Sequence, residues 1–90
     1  MKQIVFSSRA LKNMDDICEY ISQENGMIAD KVIQTIFERI QYLALFPELW
    51  PRIWATQYRE IIDSVYKYQI RYSIVWEEVR VITIYKFKNT

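Results

Sequence analysis

Six cations and one carboxylate in the second half of the sequence are the side chains best suited to chemistry: Arg52, Arg59, Lys67, Arg71, Lys86 and Lys88, with Glu60. Arginine and lysine clamp phosphates through charge-assisted hydrogen bonds. Glu60 or Lys86 could carry a proton, and so could a tyrosinate. A lysine or tyrosine in that role needs its pKa moved several units towards neutrality, by burial or by charged neighbours. The chain has no histidine and a single cysteine, Cys18. That excludes His-dependent triads, most zinc sites and any metal cluster. No metal and no cofactor is expected.

The net charge is only +1, but it is unevenly spread. Residues 8–46 carry more acids than bases, and residues 47–90 carry seven cations against five carboxylates. The second half is therefore mildly basic, too weakly so to mark a polyanion binder on charge alone. Each cation taken singly also reads as a solvated strand residue that keeps a sheet soluble and blunts its edge. Their clustering is what points to a site.

The run from Val65 to Lys88 must position most of these groups. Tyr66, Tyr68, Ile70, Tyr72, Ile74 and Trp76 fall on every second position, the mark of a half-buried strand. After Glu77-Glu78 the alternation resumes as Val79, Val81, Thr83, Tyr85, Phe87. Two strands this close predict an antiparallel hairpin. With Glu77-Glu78 as the turn, Trp76 faces Val79, Ile74 faces Val81, Tyr72 faces Thr83, Ile70 faces Tyr85 and Tyr68 faces Phe87. That face needs a cover, so Tyr85 is assigned to the core. The opposite face then carries Val75, Ile82 and Ile84 among Lys67, Arg71, Lys86 and Lys88.

Upstream, Lys2 to Phe6 reads as a short strand and Ser7-Ser8 offers an N-cap oxygen. Ala10, Leu11, Met14, Ile17, Cys18 and Ile21 recur at helical spacing. Cys18 lies on that stripe and reads as packing, while Asp15-Asp16 read as helix surface. Asn25-Gly26 ends the helix, glycine accepting a left-handed C-terminal residue. A second apolar stripe runs from Ala29 to Ala44 and stops at Phe46-Pro47. Trp50 and Trp54 follow in a segment without period. They either close the edge of the core or stand exposed as anchors for a partner, a role tryptophan fills at hot spots. Gln57 to Asp63 is a further short strand. In it Arg59 and Glu60, being neighbours, point to opposite faces. The order is β-α-α-β-β-β, an α+β domain spanning residues 1–90, with a helical hairpin on one face of a small, mainly antiparallel sheet.

Ninety residues suffice for one core. No apolar run reaches the length of a membrane helix. The N-terminus lacks signal-peptide architecture and the lone cysteine suits a reducing compartment, so a cytoplasmic protein is expected.

Over nearly its whole length the chain resembles the RelE/ParE superfamily, the toxin halves of bacterial toxin–antitoxin pairs. The likeness runs through Ala10, Asp16, Ile17 and Tyr20-Ile21, the Phe46-Pro47 helix end and Arg59-Glu60-Ile61. It continues through Tyr68-Gln69-Ile70-Arg71-Tyr72-Ser73-Ile74 and Val79-Arg80-Val81-Ile82-Thr83-Ile84. No single motif is specific; the ordered set carries the resemblance. It implies a microbial-RNase-like fold and a cognate antitoxin as partner in a hetero-oligomer. Two activities occur in the superfamily: ribosome-dependent mRNA cleavage by RelE-like members, and poisoning of DNA gyrase by ParE-like members. Nucleolytic relatives place an arginine where this chain has Gln69, and many place a histidine where it has Lys86. Trp50-Pro51-Arg52 replaces their Gly-Arg after Phe-Pro. RNA cleavage through the 2′-hydroxyl needs a base, an acid and cations. Here Glu60, Arg71 and Lys86 are the candidates, with Arg52, Arg59, Lys67 and Lys88 as further phosphate or target contacts. The departures favour a ParE-like toxin acting by binding over an mRNA interferase; a degenerate member that only sequesters its antitoxin is the third alternative. The antitoxin segment is expected on Val75, Ile82, Ile84, Trp50 and Trp54.

Overall fold

Strand β1 (Gln3–Phe6) leads directly into Ser7, whose hydroxyl oxygen accepts from the Ala10 amide at 3.0 Å and so caps helix α1 (Ser8–Ser22). The computed structural model describes residues 2–86. Phe87 and Lys88 lie outside the described residues, and with them the expected Tyr68–Phe87 pair and the phosphate contact at Lys88. After α1 come helix α2 (Gly26–Leu45) and strands β2 (Arg59–Ile62), β3 (Tyr68–Val75) and β4 (Glu78–Lys86), the order the sequence predicts.

The helix junction departs from expectation. Asn25 is the N-cap of α2, accepting from the amides of Met27 and Ile28, and Gly26 is the first residue of that helix with no positive φ. A side-chain oxygen that can serve two orphan amides outweighs the glycine stop signal here. Helix α2 ends at Leu45, ahead of Phe46-Pro47, as predicted.

The sheet order is β1-β4-β3-β2, with β1 parallel to β4 and the other pairs antiparallel. Val32, Ile36, Ile40 and Leu43 of α2 and Ala10 and Met14 of α1 pack on Ile61, Tyr68, Ile70, Tyr72, Val79, Val81 and Ile84. Each fully buried aliphatic side chain there contributes about 1.5–3 kcal/mol before entropy is subtracted. The Tyr72 hydroxyl, carried into this core, donates to the Pro47 carbonyl at 2.9 Å and pins the segment that leaves α2. Arg59, on the same side, donates to the carbonyls of Trp50 and Glu48.

The hairpin register differs from the predicted one twice. Its loop is Trp76-Glu77, not Glu77-Glu78: Val75 pairs Glu78, Ile74 pairs Val79, Ser73 pairs Arg80 and Tyr72 pairs Val81. Trp76 takes φ 55°, the left-handed conformation that a two-residue hairpin loop demands. Its side chain is 89% exposed instead of facing Val79 in the core. A β-bulge then shifts the ladder, so that Arg71 pairs Thr83, Ile70 pairs Ile84, Gln69 pairs Tyr85 and Tyr68 pairs Lys86.

The bulge falls where β1 runs out. The Ser7 amide makes the last contact, to the Val81 carbonyl. Beyond it α1 takes over the exposed edge of β4: Ser7 Oγ donates to the Ile82 carbonyl at 2.6 Å, while Asn13 Oδ1 accepts from the Ile84 amide at 3.0 Å and the Thr83 hydroxyl at 2.9 Å. The extra residue leaves the edge polar groups satisfied by side chains, and it inverts the faces of everything that follows.

Candidate functional site

That inversion assembles the polar cluster of the open face. Glu60 of β2 stands opposite Arg71 of β3, and Tyr85 of β4 arrives beside them, opposite Gln69. The Tyr85 hydroxyl donates to Glu60 Oε2, and Arg71 Nε lies 3.4 Å from the same oxygen. The guanidinium carbon is 6.0 Å from the centroid of the Tyr85 ring. Arg71 Nε is buried yet off-line for a hydrogen bond, so the contact to Glu60 is an ion pair without full hydrogen-bond geometry. With the Glu60 side chain only 19% exposed, solvent screens the pair less than it would on an open surface.

Burial is the first cause that raises the Tyr85 pKa above the ordinary tyrosine value; the hydrogen bond to Glu60 and its charge add to it, and Arg71 opposes. Burial also raises Tyr68, with Tyr20 adding, and raises Tyr72 against the field of Arg59. These hydroxyls are held protonated, away from the shift that a tyrosinate base requires.

Among the described residues the remaining cations do not join Arg71. Arg59 is turned to the helix side, as its neighbour Glu60 takes the open one. Arg52 is exposed in the 48–58 segment and shares a cleft with Glu48, Gln57, Arg59 and Ile74. Arg80, on the open face, is paired with Glu78 at 3.0 Å. Lys67 has φ 65° in the turn before β3, where the buried carboxylate of Asp63 accepts from the amides of Val65 and Tyr66. The bulge removes Lys86 from the face of Arg71, and its ammonium lies 5.4 Å from the centroid of the Tyr68 ring. Glu60, Arg71 and Lys86 therefore do not form one constellation; Tyr85 replaces Lys86 in it.

The apolar candidates also separate. Ile84 is 1% exposed, a core residue instead of part of an open stripe, and Val75 and Ile82 are half-buried. Trp50 closes the core edge with its ring against Tyr42, whereas Trp54 is 91% exposed. Tyr85, assigned to the core from its spacing, is the functional candidate that reading missed. The sequence holds one clue to it: Val81, Ile82 and Ile84 are apolar on both parities. Lys67 and Lys86 meet elsewhere, flanking a cleft lined by Tyr20, Ile28, Val32, Val65 and Tyr66 at the junction of the two helices with the β2–β3 turn.

Residues 4–88 match the family model described as the ParE toxin of the type II toxin-antitoxin system, parDE. The fold is similar to a chain of the chromosomal ParDE TA system from P. aeruginosa, with TM-score 0.85 at 16% identity over 98% of each chain. It is also similar to a chain of the intact E. coli RelBE toxin-antitoxin complex, with TM-score 0.72 at 17% identity over 99% of this chain and 100% of that one. The isolated E. coli RelE toxin gives TM-score 0.75 at 17% identity, over 100% and 88%. No curated protein matches by sequence. At such identities the structural likenesses establish the fold: two helices on one face of a four-stranded mixed sheet.

Proposed function

The chain belongs to the family of ParE toxins of type II toxin–antitoxin systems, and from this premise we propose that it arrests growth by binding and poisoning DNA gyrase until a cognate antitoxin neutralises it. The observation that carries the reading is the self-neutralised open face. Arg71 is paired with Glu60 and Arg80 with Glu78, and Tyr85 keeps its proton. Strand-face chemistry on RNA would want a free cation beside a group ready to accept a proton. A toxin that acts by association needs neither.

One observation favours a second reading, a RelE-like mRNA endonuclease: Glu60, Arg71 and Tyr85 converge on the open face. Induction in cells separates the two. The gyrase reading expects DNA breaks and an SOS response, with transcripts intact; codon-phased cuts in mRNA would reverse the order. Gln69→Arg, which adds a cation beside Tyr85, is expected to create no nuclease activity.

For the antitoxin, the cleft between Lys67 and Lys86 pairs an apolar floor with two cations, which suits an acidic amphipathic segment. Lys67→Glu with Lys86→Glu should slow association more than it speeds dissociation, in a salt-dependent manner. Unchanged association kinetics would remove the cleft from the interface.

A further inference from the structure

The open face holds most of what a phosphate requires. Gln69, Arg71 and Tyr85 are adjacent polar groups across β3 and β4, and Tyr85 is 36% exposed, an aromatic residue on the solvent side of the sheet of the kind on which bases stack. An arginine with neutral donors beside it is a common anion-binding arrangement. The missing component is uncommitted charge, because Glu60 occupies the place an incoming anion would take.

Glu60 is held there from two sides, by the Tyr85 hydroxyl and by the Arg71 guanidinium. The hold is imperfect on the arginine side: Nε is within ion-pair reach, is buried, and has no aligned acceptor among the described residues. The Nε–H donor of the guanidinium is therefore not committed to Glu60. A partly buried ion pair of this geometry is weak evidence for stability, and its carboxylate repels a second anion from Arg71.

We propose that Glu60 is a specificity residue that keeps nucleic acid off the open face, by occupying the anion position of Arg71, and that its removal uncovers a phosphate-binding site for single-stranded RNA. The inference goes beyond the choice of target, since it concerns a ligand the face refuses whichever partner the toxin engages.

The test is fluorescence anisotropy of the purified full chain with a labelled single-stranded RNA, titrated at several salt concentrations. Glu60→Gln is expected to bind about tenfold tighter than the wild-type chain, the scale of one charge-assisted hydrogen bond. Its salt slope should steepen by about 0.7, one added phosphate contact on a single strand. The double variant Glu60→Gln/Arg71→Gln should lose the gain. Glu24→Gln makes the same charge change in the exposed turn between α1 and α2 and should alter affinity by no more than about twofold, as a screened surface charge does. Glu60→Ala removes the same carboxylate and should tighten binding by a similar factor; it carries the test if Glu60→Gln does not fold by circular dichroism. The proposal is overturned if neither variant binds tighter than wild type, if the gain survives loss of Arg71, or if Glu24→Gln matches it. Gyrase inhibition is read separately, so failure here leaves that reading standing.

Discussion

Strand β4 behaves as two strands joined at Ile82. From Glu78 to Val81 it lies between β1 and β3, and Val79 and Val81 alternate into the core as period two requires. From Thr83 to Lys86, among the described residues, only β3 pairs it, α1 covers the other edge through Asn13, and the alternation is reversed. The first half builds the core and the second half builds the site. An alternating pattern reports faces only within an unbroken ladder, and one extra residue carries Ile84 inward and Tyr85 outward.

The largest expected effect tests that reversal directly. Ile84→Ala should cost about 2–5 kcal/mol as a core truncation, against about 1 kcal/mol for half-buried Ile82→Ala, both read from urea midpoints of the purified chain. Equally small costs would put Ile82 and Ile84 together on the open face, as an unbroken ladder requires, and would return Tyr85 to the core.

Next comes the Asn13 clamp beside the bulge. Asn13→Ala strips the Ile84 amide and the Thr83 hydroxyl of their acceptor and should cost about 1–3 kcal/mol. It should also raise amide exchange at Ile84 more than at Val79, whose half of the strand is flanked by β1. Equal exchange at the two positions would argue that α1 does not set the register.

What was legible in the sequence divides along the same boundary. The apolar stripes of α1 and α2, the Phe46-Pro47 stop, the element order and the open-face position of Arg71 follow from periodicity and breaker residues, which are local. The hairpin loop was not legible, because Trp76 adopts a positive φ that no glycine or asparagine announces. Nor was the bulge, beside which the Ile84 amide donates to Asn13, 71 residues away. Tyr85 was lost from the site, and Ile84 wrongly added to the open stripe, for that single reason. Asn25-Gly26 failed differently: both residues signal a helix boundary, but Asn25 opens the second helix where a stop for the first was read.

A smaller effect sharpens the loop assignment. Trp76→Gly removes a bulky residue from a left-handed position and gives up little burial, so it should stabilise the chain by about 0.5–1 kcal/mol after the added unfolded-state entropy. A loss of stability of similar size would mean the Trp76 ring packs on something.

The smallest expected effect is alkaline. A raised tyrosine pKa stabilises the fold while pH stays below the ordinary tyrosine value, and that contribution is lost as pH rises through the raised value. Tyr68, Tyr72 and Tyr85 all move in this direction. The urea midpoint should fall above the ordinary tyrosine pKa, and less steeply in Tyr85→Phe. An identical fall in that variant would mean Glu60 does not hold the Tyr85 proton.

The central claim is that this toxin works by association and not by strand-face catalysis, and purified components test it most directly. The chain is added to DNA gyrase with supercoiled plasmid and, in parallel, to ribosomes programmed with mRNA. The account predicts trapped gyrase cleavage complexes, seen as linear plasmid after protein removal, with the mRNA left whole. Intact plasmid together with mRNA cut at the ribosome would contradict it.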